Sequence, residues 1–182
     1  MGFVYNSKIL SEEECDFIKN YILENENKIK LMGEDKYPLT SEDSLTGRYK
    51  VFNFLHSEIG NILLPKLKDI FDEVGLKYPL TIQCWGNIFR YGEGIGKHKH
   101  LPPNSTDKIL SSTLFISGPT HIGTWYEGEK IENEVGSLTI FTGDMLHYVP
   151  KNTTNEVRIT LALDIAEETI RQKSNRYYIM EK

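Results

Sequence analysis

The stretch that decides the fold class reads Val157-Arg158-Ile159-Thr160-Leu161-Ala162-Leu163-Asp164-Ile165. Its odd-numbered residues are all aliphatic, whereas the even-numbered residues include Arg158, Thr160 and Asp164. Successive side chains of a β-strand point to opposite faces of the sheet, so this alternation predicts a strand with one apolar and one mixed face. We expect the apolar face to pack on helices. Arg158 and Thr160 would then face the interior of a β-sandwich, where a pocket would lie.

Other strands are predicted where apolar runs end at Gly, Pro, Asn or Asp, namely at residues 48–54, 80–91, 111–117, 123–126 and 137–141. Two helices should precede most of them. A capping box at residues 11–14 starts a helix over about 12–24. A second apolar stripe starts near Ser57, is kinked or split by Pro65 and stops at Gly75.

Two helices followed by about seven strands predict an α+β fold that is mainly β, with the N-terminal helices packed on one sheet of a β-sandwich or jelly roll. At 182 residues we expect a single domain spanning 1–182. Its helical part would cover about 1–78 and its β-barrel core about 79–166. The charged tail, 167–182, should be helical or frayed.

Composition excludes several functional classes. A net charge of −5 argues against nucleic acid as the main partner. No apolar run approaches the roughly 20 residues of a membrane-spanning helix, so no membrane association is expected. With only two cysteines, Cys15 and Cys84, a disulfide-built secreted fold is not expected, and we predict a cytoplasmic protein.

The candidate site begins in residues 92–100, which read Gly-Glu-Gly-Ile-Gly-Lys-His-Lys-His. In an extended chain, His98 and His100 point to one face and can share a metal ion. A distant third imidazole, His147, can complete a facial ligand set. Arg158 is a fixed cation that can hold a carboxylate bidentately. The pattern therefore predicts redox or hydrolytic chemistry on a chelating acid.

In its order along the chain, this set resembles the 2-oxoglutarate/Fe(II)-dependent dioxygenases, and within them the prolyl-4-hydroxylase-like branch. The residues that carry the resemblance are Tyr91-Gly-x-Gly, His98-x-His100, Gly136-x4-Phe141-x5-His147 and, after ten further residues, Arg158-x-Thr160. The resemblance spans roughly residues 80–165, and the helix that begins at residue 11 is also similar to an N-terminal element of that branch.

The resemblance implies a double-stranded β-helix, a jelly-roll or cupin-like barrel, that uses Fe(II), 2-oxoglutarate and O₂. Such an enzyme hydroxylates its substrate and releases succinate and CO₂. His98 and His147 would be metal ligands, Arg158 with Thr160 would bind the far carboxylate of 2-oxoglutarate, and Tyr91 would hydrogen-bond that co-substrate.

The sequence departs from the family at His100, where the usual pattern has Asp. Three interpretations stay open. His98, His100 and His147 could form a working three-histidine Fe(II) site. Alternatively, His98 and His147 could act with water or with a carboxylate from elsewhere, such as Asp107 or Asp144. In the third interpretation the site is degenerate and binds a metal without catalysis.

Two other functional classes compete with the hydroxylase. A cupin-like metal dioxygenase or isomerase that does not use 2-oxoglutarate would share the barrel. A non-catalytic metal-binding interaction module would also keep it. For the hydroxylase, the substrate is expected to be a small molecule or a peptide, with a prolyl or other amino-acid residue as a family-level expectation, and the protein to be a monomer or weak homodimer.

Overall fold

The structure is a computed structural model that describes residues 2–32, 52–101, 109–167 and 176–182. The described residues include two α-helices. Helix α1 (Glu12–Leu31) starts with the predicted capping box, in which the Ser11 amide donates to Glu14 Oε2 at 2.8 Å and the Glu14 amide donates to Ser11 Oγ at 3.2 Å. It runs about two turns past the predicted end. Burial of Ile29, 1% exposed, stabilises those added turns.

Helix α2 (Glu58–Glu73) has Ser57 as its N-cap and ends before Gly75, whose φ of 77° lies in the left-handed region. Of the two outcomes expected at Pro65, a kink or a split, the split is wrong, because the helix is continuous through it. A proline removes one backbone hydrogen bond of a helix interior. The fully buried Leu63 and Leu67 on either side offset that loss by packing into the core.

Ten strands follow the order of the chain within the described residues. They are β1 (Phe3–Lys8), β2 (Leu80–Phe89), β3 (Ile95–His98), β4 (Ile109–Ser117), β5 (Thr124–Tyr126), β6 (Glu129–Ile131), β7 (Ser137–Thr142), β8 (His147–Val149), β9 (Arg158–Ala166) and β10 (Tyr178–Met180). All strand pairs are antiparallel and form two sheets, one in the order β1-β7-β4-β9-β2-β10 and one in the order β3-β8-β5-β6.

The strands predicted from longer apolar runs are confirmed as β2, β4, β5, β7 and β9, while β1, β3, β6, β8 and β10 are not among the predicted strands. Two predictions fail in part. Residues 52–53 are irregular and Phe54–His56 form a 3-10 turn, so the strand expected at 48–54 is not present in the described part; residues 48–51 lie outside the described residues. Within the tail, Tyr178–Met180 pair with β2 as a strand rather than a helix; residues 168–175 also lie outside the described part.

Strand β9 has the two faces that its alternation predicts. Ile159, Leu161, Leu163 and Ile165 belong to one core cluster with apolar residues of both helices. On the other face, Arg158, Thr160 and Ala162 line a cavity that residues of the smaller sheet also line. The helices thus cover one side of the larger sheet, and the space between the two sheets is left for a site. None of the helices described is long and apolar enough to cross a membrane.

Candidate metal centre and anion clamp

Three histidines meet at one end of the space between the sheets. His98 ends β3 and lies directly opposite His147, the first residue of β8. His100 follows two residues later, and one ligand atom from each of the three side chains lies within 4.8 Å of the others. The ring centroids are 4.2 Å apart for His98 and His147 and 5.1 Å apart for His100 and His147. The structure therefore brings together the three predicted ligands.

The Nδ1 atom of each ring is engaged in a hydrogen bond. His98 Nδ1 lies 2.8 Å from the Gly96 carbonyl oxygen, and His147 Nδ1 lies 3.0 Å from that of Met145. His100 Nδ1 lies 2.5 Å from Asp164 Oδ1. These partners are acceptors, so each neutral ring carries its proton on Nδ1 and leaves the Nε2 lone pair for a metal. Three nitrogen ligands on one side of an ion match a facial site with open positions opposite.

The surroundings of His147 favour its neutral form. Burial, followed by the nearby His98, lowers the pKa of His147 from 6.5 to about 3. Neutral imidazole is the form that binds metals. Ring packing also fixes the orientation of His147, since Phe141 meets it edge-on at a centroid distance of 4.8 Å. Trp85 stacks on His100 at 5.9 Å with an interplanar angle of 25°.

Arg158 is 0% exposed and is only partly hydrogen-bonded. Its Nη2 donates to Thr124 Oγ1 at 3.1 Å and to Asn133 Oδ1 at 3.4 Å, while Nε and Nη1 have no partner. Burial lowers the pKa of Arg158 from 12.5 to about 10. Buried guanidinium groups are ordinarily paired with an anion. In the described ranges no carboxylate forms an ion pair with Arg158, so its free donors fit an anionic ligand.

The metal-ligating and cationic groups open onto the same cavity. Its wall contains all three histidines, Arg158 and Thr160. Phe89 and Phe115 flank the guanidinium, with centroids 5.3 Å and 5.5 Å from its central carbon. The remaining lining residues are Trp85, Asn87, Ile95, Ser112, Thr113, Thr124, Val149 and Ala162. A chelating acid bound to a metal at one end of this cavity would have a buried cation available at the other.

Solved structures share this architecture, although no family model and no curated protein matches the chain. A Pseudomonas putida prolyl-4-hydroxylase aligns over 91% of this chain and 88% of its own, with a TM-score of 0.61 and 14% identity. The non-heme alpha-ketoglutarate-dependent carbocyclase SnoK from nogalamycin biosynthesis aligns over 91% and 79%, with a TM-score of 0.66 and 14% identity. CytC3 with Fe(II) and alpha-ketoglutarate aligns over 91% and 72%, with a TM-score of 0.56 and 15% identity.

The chain shares its fold with these solved oxygenases. The likeness confirms the predicted mainly β, jelly-roll architecture of this oxygenase fold. Because the sequence identities are only 14–15%, the chemistry of the site must be inferred from the side chains of this chain.

The oxygenase fold does not bring Tyr91 to the cavity. Its side chain is 72% exposed, and its backbone forms an isolated bridge with Asn152. Tyr126 is instead the tyrosine buried between the sheets, and its hydroxyl hydrogen-bonds with Thr113 and Thr124, the second of which also binds Arg158. Short strand β5 carries Tyr126 inward, whereas Tyr91 lies just past the end of β2.

The carboxylate nearest the histidines is one that the sequence interpretation did not assign to the site. Asp144 is exposed, hydrogen-bonds with Thr142 and does not belong to the ligand cluster. Asp107 lies outside the described residues. Asp164, on the inward face of β9, contacts His100. The available signal was its position on the same strand face as Arg158 and Thr160.

Proposed function

We propose that the protein is an Fe(II)- and 2-oxoglutarate-dependent oxygenase that hydroxylates a small-molecule or peptide substrate. One observation carries the proposal: three imidazoles close enough to share a metal ion and an arginine with unpartnered buried donors line the same cavity. The neighbours in structure support it, because SnoK is described as alpha-ketoglutarate dependent and CytC3 contains Fe(II) and alpha-ketoglutarate.

The ligand set suits a divalent transition metal. His98, His100 and His147 would hold Fe(II) through Nε2, since their Nδ1 atoms are already bonded to acceptors. Imidazole is a ligand that iron accepts readily, and a facial set of three leaves the opposite positions open.

The other end of the cavity suits the far carboxylate of 2-oxoglutarate. The unpartnered Nε and Nη1 of Arg158 each leave a donor available for a charge-assisted hydrogen bond to a carboxylate. Thr160, 1% exposed, lies two residues along the same strand face and adds a hydroxyl. Asn87 Nδ2 donates to Thr160 Oγ1 at 3.4 Å, which orients that hydroxyl.

When bound, Fe(II), 2-oxoglutarate and O₂ supply oxidative decarboxylation to succinate and CO₂, with one oxygen atom inserted into a substrate C–H bond. The chain itself would bind and orient the metal and the co-substrate and shield them from water. Arg158 fixes the co-substrate at one end and the histidines fix the metal at the other. Phe89 and Trp85 provide apolar walls that exclude water. The substrate would be a prolyl or other amino-acid residue or a small metabolite, turned over by a monomeric or weakly dimeric cytoplasmic enzyme.

Anaerobic titration of the Fe(II)-loaded protein with 2-oxoglutarate tests the proposal. Chelation through the keto-acid end should produce a visible metal-to-ligand charge-transfer band, and oxygen should then yield succinate. Glutarate, which has both carboxylates but no keto group, should compete for Arg158 without producing the band. No band and no succinate in the wild type would contradict the proposal.

A metal dioxygenase that does not use 2-oxoglutarate is the second candidate. Its support is the ligand set, because three histidines depart from the two-histidine, one-carboxylate triad of non-heme Fe(II) oxygenases. In that case Fe(II) would bind, but 2-oxoglutarate would neither produce the band nor be consumed. The same titration therefore separates the two candidates.

A further inference from the structure

Asp164 makes the side-chain contact that distinguishes His100 from the other two histidines. Its Oδ1 lies 2.5 Å from His100 Nδ1, with side chains only 20% and 8% exposed. The Ser111 hydroxyl donates to the same oxygen at 2.8 Å, and Ser111 lies directly opposite Asp164 in the pairing of β4 with β9. The carboxylate oxygen is thus held in place by the larger sheet while it accepts from the ring.

His98 and His147 are oriented differently. Each of their Nδ1 atoms meets a backbone carbonyl two residues earlier in the chain, a partner that no substitution of a distant residue removes. The Nδ1 partner of His100 is instead a side chain from another strand. Hydrogen bonds to an ionised acceptor are roughly twice as strong as neutral ones. The orientation of His100 is therefore fixed by its hydrogen bond to Asp164.

We infer that Asp164 is a positioning residue of the metal centre, which holds His100 with Nε2 toward the ion and provides an outer-sphere negative charge. The inference rests on the metal site of the proposed function. Three neutral imidazoles leave a divalent ion with its full charge of two, whereas a two-histidine, one-carboxylate set reduces it by one. The Asp164 carboxylate supplies that missing charge one imidazole away from the ion. Carboxylates in this position raise the basicity of the ligating imidazole.

A second support for His100 comes from the other side of the ring. Trp85 stacks on it, and Trp85 lies opposite Ala162 in the pairing of β2 with β9. Because Ala162 is small, the indole has room over the inward face of β9, next to Asp164. Stacking fixes the plane of the imidazole but leaves its rotation by half a turn open. The hydrogen bond to Asp164 selects the orientation with Nε2 toward the cluster.

The tautomer of His100 in metal-free protein is the direct test. Ring ¹⁵N shifts of the three histidines at neutral pH should show the proton on Nδ1 in the wild type. In Asp164→Ala, His100 should shift toward the Nε2–H form that free imidazole side chains favour, while His98 and His147 stay unchanged. A wild-type His100 with its proton on Nε2 would overturn the inference, and this measurement needs no variant to fold.

Co(II) affinity measures the consequence for the metal. Removing an outer-sphere carboxylate should weaken Co(II) binding about 10- to 100-fold in Asp164→Ala. Asp164→Asn, which keeps an acceptor but not the charge, should lie between the wild type and Asp164→Ala. The control is Thr139→Val, another buried polar residue of the larger sheet, which hydrogen-bonds with Asn6. Its Co(II) affinity should stay within about twofold of the wild type. If the Co(II) affinity of Asp164→Ala also stays within about twofold of the wild type, the inference is overturned.

Neither measurement uses 2-oxoglutarate, so the two proposals fail separately. If the tautomer and Co(II) results are as expected but no 2-oxoglutarate binds, the positioning role of Asp164 stands and the proposed reaction does not. If 2-oxoglutarate binds through Arg158 but Co(II) affinity ignores Asp164, the reverse holds.

Discussion

Replacing Arg158 with methionine should move stability and ligand affinity in opposite directions. Methionine keeps an unbranched apolar chain between Phe89 and Phe115 but removes the guanidinium. If Arg158 served only the fold, truncating it should lower the stability of the protein. If Arg158 serves to bind an anionic ligand, truncating it should instead lower the affinity for that ligand, because the buried charge destabilises the ligand-free fold.

The stability change follows from the burial of the charge. Lowering the pKa of Arg158 from 12.5 to about 10 corresponds to about 3 kcal/mol against the charged form in the folded state. Since the folded pKa is the lower one, this cost is present at every pH below about 10. Methionine removes it but also loses the hydrogen bonds to Thr124 and Asn133, about 1 kcal/mol each. The net gain is about 1 kcal/mol, or about 2–4 °C in Tm for a chain of this size.

The affinity change is larger and negative. Truncating one partner of a buried, hydrogen-bonded charge pair costs about 2–5 kcal/mol, which is a 2-oxoglutarate Kd weaker by roughly 30-fold or more. Calorimetric titration of the anaerobic metal-loaded protein measures the Kd, and thermal unfolding of the metal-free protein measures the Tm.

Arg90 provides the matched control. Its Nη1 and Nη2 donate to the two carboxylate oxygens of Glu26 at 3.0 Å and 2.6 Å, and Glu26 is 6% exposed. Arg90→Met should therefore destabilise the protein by about 1–2 kcal/mol after allowance for its partial exposure, with an unchanged 2-oxoglutarate Kd. If Arg158→Met behaves like Arg90→Met in both measurements, the anion clamp is refuted.

Three further predictions concern the metal and the backbone around the clamp. His147→Ala should weaken Co(II) binding, measured by chelator competition, by at least about 100-fold, which is more than the loss of an outer-sphere group would cause. A near-normal Co(II) affinity would show that His147 is not a ligand. The pKa of His147 is about 3 in the folded state and 6.5 as its ordinary value, so below pH 6.5 only the unfolded state takes up its proton. The unfolding free energy of metal-free protein should therefore fall by about 1.4 kcal/mol per pH unit as pH drops from about 6.5 toward 3, in urea titrations, with that component absent in His147→Ala. Gly118 has φ +115°, and a Cβ there would lie 2.6 Å from Arg158 Cα. Gly118→Ala should cost at least about 2 kcal/mol in urea unfolding and weaken 2-oxoglutarate binding by displacing Arg158, and a neutral substitution would contradict the close packing.

The inward-facing residues of the site were predictable where the sequence alternates with the two-residue period of a β-strand. The alternation in 157–165 places Arg158 inward, and the His-x-His spacing places two imidazoles on one face. Pairing partners were not predictable. Strands of three residues such as β8 carry no period, so nothing in the sequence aligns His147 with His98. Asp164 shares the inward face with Arg158, yet its contact with His100 depends on how the two sheets meet. Tyr91 was assigned from the family resemblance, and its side chain lies at the surface.

Because His98 lies opposite His147 on the neighbouring strand, a bound metal ion would also stabilise the fold. Strand β3 forms the border of the smaller sheet, with β8 as its hydrogen-bonded neighbour. Their ladder is irregular between Ile95 and His98, which weakens the backbone attachment of the strand. An ion held by His98 and His147 would link the two strands at this irregular edge and so strengthen the attachment of β3 to the smaller sheet.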